Sequence, residues 1–108
     1  MESRGVLIDT GPLYALLDLR DQNHQWACSI LPSLRPPFLT CDAVLSETFF
    51  LLEDEPVPTR HLRQYLEEGV IVSRFESQPF LSQILDLMER YRNIPMAFAD
   101  ACLVCMIE

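Results

Sequence analysis

Within Val6-Leu7-Ile8-Asp9-Thr10-Gly11-Pro12-Leu13-Tyr14-Ala15-Leu16-Leu17 the chain changes from a strand pattern to a helical one. A short β-favouring run ends at an acid, Asp9-Thr10-Gly11 makes a turn, and Pro12 in a first-turn position opens an apolar helix. The stretch reads as strand, tight turn, helix. Outward from it the alternation continues. Asn23 is placed to cap a second helix, whose apolar positions Trp26, Ala27, Ile30 and Leu31 have helical spacing up to the break at Pro32. After Arg35-Pro36-Pro37, the segment Phe38-Leu39-Thr40 reads as a strand. Asp42 then stands as N-cap of a nearly all-apolar helix, Ala43 to Leu52, in which Glu47 is the one ionisable residue. Thr59 caps an amphipathic helix stopped by Gly69, with Leu62, Tyr65 and Leu66 inward. Val70-Ile71-Val72 is the third strand. Ser77 caps a helix from Pro79 to Tyr91, and Pro95 opens a last one that has not ended at Glu108. Strands alternating with helices predict an α/β domain with a largely parallel sheet.

The whole chain is 108 residues and 49% hydrophobic, which is the size of a single domain with its own core. Its cationic side chains are all arginine, eight against sixteen acids, for a net charge of −8. That balance disfavours a generic electropositive nucleic-acid binder. A polyanionic substrate would need local arginines, bound metal ions or a basic partner. Four cysteines, at 28, 41, 102 and 105, without an export signal read as reduced thiols of a cytoplasmic protein. The Cys102-Leu103-Val104-Cys105 pair has no second pair near it and reads as two core thiols. The longest apolar run, Pro95 to Ile107, contains Asp100 and is too short to span a bilayer, which excludes a membrane protein.

Three acids stand apart because each is the sole charge in an apolar setting: Asp9 after the first strand, Glu47 in Ala43–Leu52, and Asp100 in Pro95–Ile107. Burial of an unpaired carboxylate costs several kcal/mol, so each calls for a hydrogen bond, a metal or a raised pKa. A helix cap or a satisfied core hydrogen bond explains any one of them as well as ligation does. Ligand sites of open α/β sheets lie at the carboxyl ends of strands, where Asp9 falls. If the helices bearing Glu47 and Asp100 pack beside that end, the cluster needs divalent cations, and hard oxygen donors suit Mg²⁺ or Mn²⁺. That is the geometry of metal-dependent phosphodiester hydrolysis. Asp18, Asp21, Asp54, Asp86 and Glu89 lie in polar stretches and read as solvated. His24 reads as a packed residue, His61 as surface. No Gly-x-Ser-x-Gly elbow or Gly-rich phosphate loop is present.

The start Val6 to Leu17, then Asp21 to Ala27, Leu39 to Glu47, and Ile94 to Val104 together resemble the PIN-domain family, with VapC-like toxins as the nearest branch. The resemblance spans essentially the whole chain. It implies a three-layer α/β/α PIN fold with a short, mostly parallel sheet, and a Mg²⁺- or Mn²⁺-dependent ribonuclease acting on RNA. It also implies a cognate antitoxin protein and a homodimer. Asp9, Glu47 and Asp100 match the family's first three acidic ligands. Thr10 and Ser46 match the small hydroxyl residues that flank them, and the position of His24 implies a tie between the second helix and the first. The family continues to another strand and a fourth acid that this sequence lacks, so it looks like a C-terminally truncated PIN domain with an unpaired sheet edge. Glu108 is a poor substitute: eight residues past Asp100 on a continuous helix, it lies about 80° off that face and about 12 Å further along. Arg60, Arg63 and Arg20 are the candidate contacts to an RNA backbone. Two further readings stand beside the ribonuclease. One is a noncatalytic PIN-like remnant that binds a partner protein or itself; the other is a flavodoxin-like binding module, which leaves Glu47 and Asp100 unexplained.

Overall fold

The computed structural model describes residues 5–107. The elements run β1 (Val6–Leu7), α1 (Thr10–Leu17), α2 (His24–Ile30), β2 (Phe38–Thr40), α3 (Asp42–Leu51), α4 (Pro56–Glu67), β3 (Ile71–Ser73), α5 (Leu81–Arg90) and α6 (Phe98–Ile107), with 3-10 turns at Leu31–Ser33 and Gln78–Phe80. The three strands form a parallel sheet in the order β1-β2-β3, with Val6 opposite Phe38 and Phe38 opposite Ile71. Parallel neighbours need long crossovers, and two pairs of helices supply them: α1 with α2 between β1 and β2, α3 with α4 between β2 and β3. This is the expected α/β fold with a parallel sheet.

Side chains alternate across a sheet, so Ile8, Phe38 and Ile71 face one way and are buried, while Leu7, Leu39 and Val72 face the other and are half-buried. Leu13 and Leu17 of α1, Leu31, Leu62 of α4 and Ile84 of α5 join the core. A Cβ on Gly5 would stand 2.6 Å from both Leu39 Cγ and the Pro37 carbonyl oxygen, so the approach of the chain to β2 requires glycine there. Gly69, at φ +76°, ends α4 in the left-handed conformation expected of it.

Several boundaries differ from the sequence reading. Helix α4 begins at Pro56, not after Thr59, because prolines are tolerated in the first turn, where the N–H groups lack intrahelical acceptors. Thr59 instead donates its hydroxyl to the Leu52 carbonyl at 3.1 Å. Residues 94–97 remain outside α6, which starts at Phe98, and the helix expected from Pro79 begins as a 3-10 turn before α5. The third strand lies one residue later than expected. Asn23 occupies the N-cap position of α2 without a side-chain cap bond; its own N–H donates to Asp21 Oδ2 at 2.9 Å. Helix α2 buries Ala27 and is followed by buried Leu31, whereas Trp26 and Ile30 are exposed. Among the described residues no helix is long and apolar enough to cross a membrane.

Candidate active site

Asp9 leaves β1 in an extended conformation and becomes the N-cap of α1, where its Oδ1 accepts the Thr10 N–H at 2.6 Å. Thr10 is buried, and its hydroxyl donates to Glu47 Oε1 at 2.7 Å. One residue thus holds two of the three singled-out acids, through its main chain on one side and its side chain on the other. Helices α1 and α3 pack together, which brings Glu47 within reach of the first strand's carboxyl end.

Glu47 is exposed, which corrects the expectation of a carboxylate enclosed in an apolar helix. Helix α3 buries only Val44 and Thr48, while Phe50 and Leu51 also face outward. An apolar helix need not be a buried one. Asp42 is not the N-cap of this helix. Cys41 holds that position, and Asp42 Oδ1 accepts the Ser73 hydroxyl at 2.6 Å, tying α3 to β3.

Asp100 is half-buried in the first turn of α6 and accepts the Ala97 N–H at 3.0 Å on Oδ2, one half of a capping box. Asp9 and Asp100 therefore both serve helix starts. A carboxylate offers about four acceptor positions, so a cap bond does not exhaust it. Among the described residues no three His, Cys, Asp or Glu side chains are grouped so as to hold one metal ion. The donor chemistry of Asp9 and Glu47, oxygen only, fits a hard cation, and these two are joined through Thr10; the hydrogen bond of Asp100 goes to its own helix start. Glu108 lies outside the described residues.

The sequence reading placed Asp18 on a solvated face, and the structure overturns this: its residue is only 4% exposed. Tyr14 donates its hydroxyl to Asp18 Oδ2 at 2.5 Å, and the Arg20 N–H donates to Oδ1 at 2.9 Å. Arg20 Nε adds a bond at 3.3 Å and the same guanidinium pairs with Glu55. The Tyr14 hydroxyl foremost, then the Arg20 N–H, hold the Asp18 carboxyl below the usual carboxylate range against the opposing effect of burial. The same bond pushes the Tyr14 phenol upward. The signal in the sequence was the i, i+4 spacing of Tyr14 and Asp18 on one helix face.

Arg20 and Arg63, candidate RNA contacts, are engaged in ion pairs, Arg63 with Glu67 at 3.0 Å, and Arg60 is exposed. His24 Nδ1 lies 2.7 Å from the Ala15 carbonyl oxygen and so links α2 to α1, while His61 is exposed, both as expected. All four cysteines are thiols, three of them buried. Burial, with Cys41 and Cys105 nearby, pushes Cys102 up to about 11.

The class this architecture defines is the VapC-like PIN fold. Solved structures share it. One is the crystal structure of Mycobacterium tuberculosis VapC20, a Sarcin-Ricin loop cleaving toxin, with a TM-score of 0.82 and 21% identity over 95% of this chain and 81% of that one. The likeness is one of fold. No family model matches the chain, and no curated protein matches it in sequence.

Proposed function

We propose that the protein is a metal-dependent endoribonuclease of the VapC-like toxin type, hydrolysing RNA phosphodiester bonds with Mg²⁺ or Mn²⁺ held by Asp9 and Glu47, and with Asp100 as a third acid that would have to move towards them to share the ion. The observation that supports this most is the Thr10 bridge, which ties Asp9, just past β1, and Glu47 of α3 to one residue. Like charges repel, so a fold that holds such a pair in place gains from a cation. When bound, the cation supplies positive charge against the charge developing on the phosphate and makes a water more acidic. The chain's own part is positional. The Thr10 N–H fixes Asp9, its hydroxyl fixes Glu47, and Ala97 holds Asp100 at the start of α6. No protein nucleophile is needed, and His24 is engaged with Ala15.

The partners in this reading are RNA, a cognate antitoxin with an Arg- or Lys-bearing segment opposite the carboxylates, and a second copy in a homodimer, all in the cytoplasm. The rival reading, a noncatalytic domain of the same fold that binds a protein, draws support from the capping roles of Asp9 and Asp100. Labelled sarcin–ricin loop RNA and an unstructured RNA, each incubated with Mg²⁺, Mn²⁺ or EDTA, separate the two. The ribonuclease reading expects cleavage that needs the metal and disappears in Asp9→Asn and Asp100→Asn. Intact RNA with folded wild-type protein, or cleavage that survives EDTA, contradicts it.

A further inference from the structure

A groove of about 280 Å³ runs beside α1, with Thr10, Gly11, Asp21, Asn23, Trp26 and Leu51 among its walls. Three features set it apart. First, Thr10, whose N–H and hydroxyl bond Asp9 and Glu47, is part of its wall, although neither carboxylate lines it. Second, Trp26, the chain's sole tryptophan, leaves 53% of its surface exposed on this wall, while its helix buries only Ala27.

Third, exposed Gly11 leaves this wall without a side chain, and a Cβ there would meet nothing within 4 Å beyond its chain neighbours. It also precedes Pro12, and the lack of a Cβ eases the clash with the proline ring that disfavours helical geometry at such a position. No arginine stands among the lining residues, and Asp21 adds an acid, so a phosphate is the wrong occupant. An aromatic face with amide and carboxylate groups at its rim suits a neutral, planar, hydrogen-bonding ring. Unpaired bases of single-stranded RNA are held in this way, stacked on aromatic side chains.

We infer that this groove seats an unstacked base of the RNA substrate beside the carboxylate pair, with Trp26 as its stacking platform and Gly11 leaving room for close approach. The inference rests on the ribonuclease reading and gives that site a nucleotide-binding neighbour.

With one tryptophan in the chain, its emission reports on this groove alone. The test uses the Asp9→Asn protein in Mg²⁺, titrated with the hexaribonucleotides of adenine and cytosine, with binding followed separately by the anisotropy of labelled RNA. Saturable quenching is expected. Trp26→Ala should weaken binding about 5- to 150-fold, the range that loss of one base–aromatic stack implies, and Trp26→Phe should recover most of it. Gly11→Ala, which puts a methyl on the groove wall, should weaken binding while thermal unfolding shows the protein still folded. RNA that binds without quenching and equally well to Trp26→Ala overturns the inference and leaves the ribonuclease reading standing. A folded wild-type protein that neither binds nor cleaves RNA overturns both. Quenching that follows protein concentration without RNA gives the face to a second copy and overturns the inference.

Discussion

Replacing Thr10 with valine keeps the shape of the residue and removes the one hydroxyl that joins α1 to Glu47. The effect on stability should be small. Glu47 is exposed and its freed carboxylate returns to water, so the loss is that of an ordinary hydrogen bond, about 1 kcal/mol, partly offset by the methyl group buried in its place. The effect on metal affinity should be larger, since loss of a residue that orients a ligand typically costs about 10- to 100-fold. A metal at about 100 times its Kd stabilises the folded state by about 2.7 kcal/mol; at 10- to 100-fold weaker affinity the same concentration gives about 1.4 to 0.4 kcal/mol. Urea unfolding at 25 °C with EDTA and with Mn²⁺ reads both quantities in each protein. Thr10→Ser should restore the wild-type response. If Thr10→Val responds to Mn²⁺ as strongly as the wild type does, Thr10 does not position Glu47 for a metal and the reasoning fails.

Three other outcomes follow from the packing. Asp18→Ala leaves the Tyr14 hydroxyl and the Arg20 N–H without their buried acceptor and should cost about 3 kcal/mol in urea unfolding at pH 7. Because the folded-state pKa of Asp18 is depressed, its contribution is complete above the unfolded value of 3.8 and is lost as pH falls through the lower folded value, so the gap to Asp18→Asn should narrow in acid. Gly5→Ala should destabilise by about 1–3 kcal/mol, since its Cβ would lie 2.6 Å from a backbone oxygen that cannot easily yield. In native protein at pH 8 a thiol reagent should modify exposed Cys28 first. Buried Cys102, with its pKa pushed up to about 11, should react only on unfolding, as mass spectrometry of the labelled peptides would show.

The parts of this fold that were legible in the sequence are those written in local chemistry. Val6 to Leu17 carries a change of period and a proline where a helix can accept one, and it folds as strand, turn and helix. Phe38-Leu39-Thr40 is bounded by prolines on one side and is a strand with the limits expected of it. Boundaries were less legible wherever proline marked them. Pro56, Pro58, Pro79 and Pro95 are compatible with a first turn, a 3-10 turn or a loop, and only tertiary packing chooses among these.

At the site, sequence located Asp9 at a strand end, but it misjudged burial. Glu47 was singled out because its neighbours are apolar, yet Phe50 and Leu51 share its exposure. Asp18 reads as solvated because the chain turns polar from Arg20 to Asn23, yet Tyr14 and Arg20 enclose it. Hydropathy along the chain reports what a residue sits beside in sequence, whereas the charge of a carboxylate is answered by what sits opposite it in space. The Thr10–Glu47 bond joins residues far apart in the chain, and no local pattern announces it.

The central claim is that Asp9 belongs to a metal-binding carboxylate pair. Thermal unfolding of the wild type and Asp9→Asn, each with EDTA and with millimolar Mn²⁺, tests it without knowledge of the RNA target. Asparagine caps a helix about as well as aspartate, so the substitution keeps the bond from the Thr10 N–H and removes only charge. The account predicts a higher melting temperature for Asp9→Asn in EDTA, through relief of repulsion with Glu47, and loss of most of the Mn²⁺ shift seen in the wild type. A lower melting temperature for Asp9→Asn, with Mn²⁺ moving neither protein, would make Asp9 a helix cap and nothing more.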